Sequence, residues 1–106
     1  MMRKGSSIIN TARGKIIKSL DIIEKYLRQG YLHSVAFDVL PQEPPDFSHS
    51  LIHAWKTNDE VLRGRILINP HTAYYSDEAI FEMRSKASET LKLFLTEGIL
   101  RNRIRS

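Results

Sequence analysis

Between residues 66 and 78 the chain carries the sequence Ile66-Leu67-Ile68-Asn69-Pro70-His71-Thr72-Ala73-Tyr74-Tyr75-Ser76-Asp77-Glu78. The three aliphatic residues at its start favour a β-strand, and Pro70 marks the strand end because proline cannot donate to a sheet ladder. Ser76 followed by two acids is typical of a helix N-terminus, where the hydroxyl caps and the helix dipole favours negative charge. His71 is therefore expected on a short turn between the carboxyl end of a strand and a helix, which is where ligands bind in open α/β sheets.

A second strand is predicted upstream of this stretch. Residues Ser34–Leu40 form a near-continuous apolar run that only Asp38 interrupts, close to its carboxyl end. Such a run fits a strand that is buried on both faces, as in a parallel sheet. The following segment, Pro41–Asp46, is rich in proline and ends the strand.

A strand and a helix are predicted before it. Ser7–Asn10 favours a short strand, and Thr11–Gly14 favours a turn in which we expect the glycine to adopt a positive φ. Residues Lys15–Gln29 have apolar side chains at helical spacing, and Gly30 is suited to close that helix as its C′ residue.

The remaining segments continue the alternation. We predict a short helix near Ser50–Lys56, a third strand over Arg65–Asn69, and a long helix from Ser76 to about Glu97 that Gly98 terminates. Strands that alternate with helices imply parallel βαβ units. The sequence therefore predicts an α/β fold with about three parallel strands and flanking helices.

The composition excludes several classes of protein. The chain has 106 residues, enough for one small domain, and it contains no cysteine, so neither a disulfide framework nor a cysteine-based zinc site is possible. No apolar run approaches the ~20 residues of a membrane span, and no signal peptide is recognisable at the N-terminus. We expect a cytoplasmic protein without a membrane partner.

The basic residues do not indicate a nucleic-acid partner. The formal net charge is +4, and much of the excess lies at the two ends of the chain, in Arg3, Lys4, Arg101, Arg103 and Arg105. A nucleic-acid interface would need a basic face with interleaved aromatic residues, so we interpret these residues as solvated termini.

Two histidines have a spacing that can hold a metal. His49 and His53 lie four residues apart on the short predicted helix, but no further ligand set joins them. We therefore predict no metal site.

Each predicted strand ends in polar side chains. Thr11 and Arg13 follow the first strand, Asp38 and then Glu43 lie at the end of the second, and His71 follows the third. The carboxyl ends of parallel strands share one edge, so these residues could converge. An arginine binds a carboxylate through two charge-assisted hydrogen bonds, and a histidine oriented by a carboxylate transfers protons near neutral pH. This set suits a redox enzyme that acts on a hydroxy or keto acid.

Each of these residues also has a structural interpretation. Arg13 could cap a carbonyl or pair with Asp38, and Asp38 could accept hydrogen bonds from backbone amides. Glu43 could be a solvated loop residue, and His71 could belong to an ordinary turn. The joint placement at strand ends favours the functional interpretation.

Four motifs, in order, resemble the C-terminal signatures of the D-isomer-specific 2-hydroxyacid dehydrogenases. They are Ile8–Gly14, Ala36–Val39, Gln42–Pro44 and Asn69–His71. The segments His71–Ser76 and Phe81–Arg84 and the loop Ala54–Arg65 look closer to one branch, that of the C-terminal-binding-protein co-repressors and their bacterial relatives. The resemblance extends from Gly5 to about Gly98.

The resemblance implies a role for each polar residue. Arg13 would bind the substrate carboxylate and polarise the carbonyl, and His71 would be the acid/base paired with Glu43. Asp38 would contact the nicotinamide carboxamide, while Thr11, Ala73, Arg13 and His71 would line the nicotinamide pocket. The implied cofactor is NAD, with NADP not excluded, and the implied substrate is a small 2-hydroxy or 2-keto acid.

The resemblance also implies an incomplete domain. No G-x-G-x-x-G motif occurs among the five glycines, so the turn that binds the cofactor pyrophosphate is missing. Residues 1–98 would form the C-terminal half of a Rossmann-like, doubly wound NAD(P)-binding domain, and residues 99–106 a basic C-terminal tail. We expect the isolated chain to be inactive and to form a dimer or other homo-oligomer through an exposed sheet edge. The alternatives are a non-enzymatic protein-interaction module and a truncated gene product of the same family.

Overall fold

The structure is a computed structural model, and it describes residues 2–104. Its elements follow the order β1, α1, β2, α2, β3 and α3, with a 3-10 turn between β1 and α1. Their bounds are β1 Ser6–Asn10, the 3-10 turn Gly14–Ile16, α1 Leu20–Arg28, β2 Leu32–Phe37, α2 Ser50–Thr57, β3 Ile66–Ile68 and α3 Asp77–Glu97.

The three strands form one parallel sheet in the order β1-β2-β3. The register places Ile8 beside Val35 and Val35 beside Ile66, so that these side chains form one row on the same face. The predicted α/β fold with three parallel strands is confirmed. All three strands end at the same edge, and that edge carries the candidate site.

The core lies on one face of the sheet. Side chains of α1 and α2 pack there against β2, in a cluster that includes Leu27, Leu51 and Phe37. The opposite face is open, because Ile9 of β1 is 74% exposed and Leu67 of β3 is 57% exposed. The expectation that β2 is buried on both faces is therefore wrong, since both of these helices cover the same side.

Several element ends differ from the predictions. Strand β2 begins at Leu32 and ends at Phe37, so Asp38 lies just beyond the strand. The regular helix α1 begins only at Leu20, because Ser19 accepts a hydrogen bond from the backbone of Asp21 and caps it. Gly30 has a φ of 68° directly after the helix, as predicted.

Gly14 is needed for a reason different from the predicted one. It does not adopt a positive φ. A Cβ at this position would lie 1.8 Å from the carbonyl oxygen of Leu40, so the backbone of the first turn passes directly over the end of β2. The glycine is required for close approach of two chain segments.

A buried carboxylate joins the two helices on the core side. Glu24 of α1 accepts hydrogen bonds from Arg28 at 2.8 Å and from the hydroxyl of Ser50, the first residue of α2. Glu24 is only 9% exposed, and a buried carboxylate is tolerated when charge-assisted hydrogen bonds satisfy it.

The chain divides into two compact units, one that extends to Ala73 and one that begins at Tyr74, whereas the sequence suggested a boundary at Gly98. The second unit consists mainly of α3, which Ser76 caps through Ala79 and which ends before Gly98. No residue of this helix is buried, although it carries large apolar side chains such as Phe94. Within residues 2–104 we find no helix with the length and apolar character of a membrane span. Arg105, counted above among the basic tail residues, lies outside the described part of the chain.

Candidate active site

His71 lies in the loop that follows β3, held in an uncommon backbone conformation. Its φ is 56°, in the left-handed region that residues other than glycine rarely adopt. The two residues that follow it donate backbone hydrogen bonds to one side chain, that of Asp38. The amide of Thr72 donates to Oδ1 at 2.8 Å, and the amide of Ala73 donates to Oδ2 at 3.0 Å.

Glu43 connects His71 to the loop after β2. Its Oε2 atom lies 2.9 Å from Nδ1 of His71, and its Oε1 atom accepts a hydrogen bond of 3.0 Å from the backbone of Leu40. The bond with His71, and then the bond from Leu40, lower the pKa of Glu43 below its ordinary value, because both favour the ionised carboxylate. The peptide bond between Glu43 and Pro44 is cis. Glu43 thus has the orientation that keeps a histidine ring fixed for proton transfer.

Arg13 lies on the turn after β1, and Asn10 braces that turn. The Nδ2 atom of Asn10 donates to the carbonyl of Arg13 at 3.0 Å, while its Oδ1 atom accepts from the amide of Ala12 at 3.1 Å. Asn10 is 7% exposed, whereas Arg13 is exposed. Sequence reasoning gave Asn10 no role, although an asparagine that starts a turn is a known device for holding backbone groups.

A cavity of about 450 Å³ brings the predicted acid/base residues together. Arg13, Glu43 and His71 all line it, together with Gly14 and Lys15. The three residues come from loops that follow three different strands, as the parallel topology requires. The convergence that was predicted from the strand ends is present in the structure.

Three of the five predicted nicotinamide residues meet in a separate, smaller depression, whereas Arg13 and His71 line the larger cavity. Thr11, Asp38 and Ala73 line a cavity of about 130 Å³ on the open face of the sheet, next to Ile9 and Leu67. An ionised carboxylate has about four acceptor positions, so Asp38 can still accept a hydrogen bond beside the two from the loop. A ligand with an amide donor and an apolar ring face would therefore fit this depression, because Asp38 can accept from the amide and Ile9 and Leu67 offer an apolar surface to the ring.

A third cavity was not foreseen from the sequence. It has a volume of about 520 Å³ and a largely apolar wall that includes Phe47 and Trp55, and it reaches Glu43 and His71 from the side of α2. The aromatic residues in the loop before α2 and on α2 itself were the only sequence signal for it.

His49 has a structural role. Its Nδ1 atom accepts the backbone amide of Leu51 at 3.1 Å and caps α2, and its Nε2 atom lies 3.1 Å from Asp21 of α1. A search of residues 2–104 finds no group of three or more acidic or histidine side chains placed to hold a metal.

Comparison with known proteins identifies the class to which this fold and site belong. Residues 1–73 match the family described as "D-isomer specific 2-hydroxyacid dehydrogenase, NAD binding domain". The chain belongs to that family. The match ends within the His71 loop, so it covers every predicted site residue.

Individual relatives agree with this assignment. The chain is 33% identical over 102 residues to a D-lactate dehydrogenase of Lactiplantibacillus plantarum, covering 92% of this chain and 30% of the relative. It is 32% identical over 95 residues to a D-specific alpha-keto acid dehydrogenase of Enterococcus faecium, covering 86% of this chain and 28% of the relative. The chain thus spans about 30% of the length of the relatives that it matches.

Solved structures share the fold. A D-2-hydroxyisocaproate dehydrogenase superposes with a TM-score of 0.72 at 26% identity, over 99% of this chain and 33% of that protein. A glyoxylate reductase from Paecilomyes thermophila superposes with a TM-score of 0.74 at 26% identity, over 94% of this chain and 27% of that protein. The fold is therefore part of a Rossmann-like domain, and the family implies NAD(H) as cofactor, with NADPH used by some structural neighbours. Three of these four proteins are dehydrogenases by name and the fourth is a reductase, so the resemblance to the co-repressor branch is not confirmed.

Proposed function

We propose that this chain supplies the catalytic and nicotinamide-binding half of an NAD-dependent D-2-hydroxyacid dehydrogenase. The observation that carries the proposal is the contact of 2.9 Å between Nδ1 of His71 and Glu43, on the wall of a cavity that Arg13 also lines. One cavity therefore holds a base (His71), the carboxylate that orients it (Glu43) and a cation for the substrate carboxylate (Arg13).

The chemistry assigned to His71 follows from its contact with Glu43, and that assigned to Arg13 from its place on the cavity wall, where its guanidinium donates to the Ala12 carbonyl at 2.8 Å. Because Nδ1 of His71 bonds to Glu43, we assign Nε2 to the proton of the substrate hydroxyl, with Glu43 stabilising the protonated ring. Arg13 binds the substrate carboxylate through its guanidinium, which suits bidentate recognition and polarises the adjacent carbonyl. Asp38, Thr11 and Ala73 would hold the amide and ring edge of a nicotinamide, which would supply hydride transfer at this site.

The isolated chain is proposed to be inactive. The sequence contains no G-x-G-x-x-G turn, so this chain provides no pyrophosphate cradle of that kind. We expect no reduction of glyoxylate, pyruvate or hydroxypyruvate with NADH by the 106-residue chain alone, measured by NADH absorbance. The cytoplasm is the proposed location.

A chimera tests the catalytic assignment. Residues 1–73 would replace the matching segment of the Lactiplantibacillus plantarum D-lactate dehydrogenase, and 2-keto acid reduction would be measured. We expect an active chimera in which His71→Ala lowers kcat by about 10²–10⁴-fold, the usual contribution of a general acid. Arg13→Gln is expected to raise KM strongly as well, since it removes the carboxylate clamp.

The matched control is His49→Ala, which removes a histidine from a helix cap away from the cavity and should leave kcat within about twofold. A chimera that folds and binds NADH, yet is inactive or keeps its rate in the His71→Ala variant, would contradict the proposal.

A second candidate is a non-enzymatic interaction module, of the kind used in the co-repressor branch. The observation in its favour is the open sheet face, where Ile9 of β1 and Leu67 of β3 are exposed. In that case the partner is a second copy of this chain or another protein, and Arg13→Gln and His71→Ala would leave the biological effect unchanged. Loss of the effect in both variants would exclude it.

A further inference from the structure

The left-handed backbone of His71 needs a restraint. A non-glycine residue with a φ of 56° is sterically strained relative to ordinary helical geometry, and a loop residue would relax without opposing contacts. The contact with Glu43 fixes the ring, but it does not fix the backbone that follows the ring. Hydrogen bonds to the two residues directly after His71 can restrain that backbone.

Asp38 provides that restraint from a fixed position. Its own backbone amide donates to the carbonyl of Asn10 at 3.0 Å, which extends the pairing of β1 and β2 by one residue. The residue is only 6% exposed, so its carboxylate is held against the core and not free to follow a moving loop. Both of its oxygens accept an amide of the loop, one from Thr72 and one from Ala73.

We propose that Asp38 is the positioning residue for His71, holding the loop so that the imidazole faces Glu43. This role comes in addition to any contact with a nicotinamide, because the carboxylate has acceptor positions to spare. The consequence for catalysis rests on the proposed function, whereas the placement of His71 does not. Asp38 acts on His71 through the hydrogen bonds that it accepts from the amides of Thr72 and Ala73.

The direction in which the pKa of Glu43 changes when Asp38 is replaced distinguishes a positioning role of Asp38 from a purely electrostatic one. Three groups face the Glu43 carboxylate: His71, the backbone amide of Leu40, and the charge of Asp38. The bond with His71 lowers the pKa of Glu43 and is the largest influence, while the negative charge of Asp38 raises that pKa. Removing only a charge would lower the pKa of Glu43 further, and releasing His71 would raise it. The electrostatic role and the positioning role therefore predict changes of opposite sign in the pKa of Glu43.

The experiment is a ¹³C NMR titration of the Glu43 carboxyl group in the full chain, in the parent protein and in Asp38→Asn. Asparagine keeps the shape of the side chain but has one acceptor for two amides and presents an NH₂ group to the other. We expect Asp38→Asn to raise the pKa of Glu43 toward the value in His71→Ala, which marks complete loss of the contact. A lowered or unchanged pKa would overturn the proposal.

The control is Asp46→Asn in the neighbouring loop. The Asp46 carboxylate accepts the amide and hydroxyl of Ser48, so this variant removes a similar charge and similar bonds that do not hold the His71 loop. It should leave the Glu43 titration unchanged. An equal rise in both variants would also overturn the proposal, since it would indicate a general effect of charge on the loops.

A second measurement does not depend on the folding of a variant. In the parent chain, the amides of Thr72 and Ala73 should exchange with solvent at least about tenfold more slowly than in an unstructured peptide, because both are hydrogen-bonded. Unprotected amides would contradict the proposal. In the chimera, Asp38→Asn should lower kcat. If the parent chimera is inactive but the NMR titrations of the full chain give the expected shifts, the proposed function is contradicted and the positioning role of Asp38 is supported.

Discussion

Glu43 joins two loops of the site through its two carboxylate oxygens. One of its oxygens holds the backbone after β2 at Leu40, and the other holds the ring of His71 after β3. The side chain is partly exposed to solvent, so its role is orientation of the ring more than net stability. An exposed carboxylate that is bonded at both oxygens titrates differently from a free one, and this difference can be measured.

The stability of the His71 loop should depend on pH in a defined direction. The pKa of Glu43 is lower in the folded chain than in the unfolded chain. The ionised carboxylate therefore adds to the free energy of unfolding at pH values above the ordinary glutamate pKa. That contribution is lost as the pH falls through the lowered value. We expect the difference in unfolding free energy between the parent and Glu43→Gln to shrink steadily below pH about 4.5. Urea unfolding at several pH values checks this, and a difference that grows on acidification would contradict it.

Gly14 should tolerate no side chain at all. A Cβ there overlaps the Leu40 carbonyl, so Gly14→Ala must displace the backbone that also anchors Glu43. We expect a loss of about 2–3 kcal/mol in the unfolding free energy, measured by chemical denaturation. Gly64→Asn is the control, because Gly64 has a φ of 72° with open space around it and asparagine tolerates that conformation. An equal cost at both positions would show that the close approach is unimportant.

The sequence was sufficient to predict those features of the site that depend on the order and direction of the strands. His71, Asp38 and Arg13 were expected to converge because the carboxyl ends of parallel strands share an edge, and each residue follows a strand directly. The use of Asp38 as a clamp on two amides depends on the conformation of a loop more than thirty residues away, which no local pattern specifies. The same holds for Gly14, whose neighbour Leu40 is distant in sequence.

At the scale of the elements, Arg65 joins three segments of the core side. Its guanidinium donates to the carbonyls of Leu27 at the end of α1 and Leu32 at the start of β2, at 2.8 and 2.7 Å, and its Nε atom donates to His33 at 2.7 Å. Arg65 itself directly precedes β3. One planar group with several donors can satisfy such divergent carbonyls, which a lysine cannot do in the same geometry.

We therefore expect Arg65→Met to cost about 2–3 kcal/mol of stability, since hydrogen bonds from a charged donor contribute more than neutral ones. Arg63→Met, two residues earlier on the exposed surface, removes the same charge and should change stability by less than about 0.5 kcal/mol. Thermal and chemical unfolding of both variants provide the test. Similar values for the two would indicate that the Arg65 bonds are not made in solution.

Helix caps were more predictable than strand faces. Ser76 and Gly30 act through local capping geometry, and both were identified correctly from the sequence. Strand β2 was predicted to be buried on both faces because its residues are apolar, yet Ala36 is only partly covered. Hydrophobicity indicates that a strand can be buried, but the position of the helices decides which face is covered.

At the scale of the whole first unit, an open apolar sheet face remains beside an unpaired edge. Among the described residues β1 pairs only with β2, and the adjacent face exposes Ile9 and Leu67. Exposed strand edges with apolar neighbours promote pairing with another chain. We expect concentration-dependent association of the 106-residue chain, measured by sedimentation velocity.

Charge placed on this face should prevent that association. We expect Ile9→Lys to move the chain toward the monomer, because a lysine on a sheet edge opposes pairing with a second strand. Val61→Lys is the matched control: Val61 is also exposed, at 56%, but lies in the turn after α2, so the same added charge should leave the association unchanged. A parent chain that stays monomeric at high concentration would exclude association. Equal dissociation in both variants would mean that net charge controls the assembly and that the open face does not.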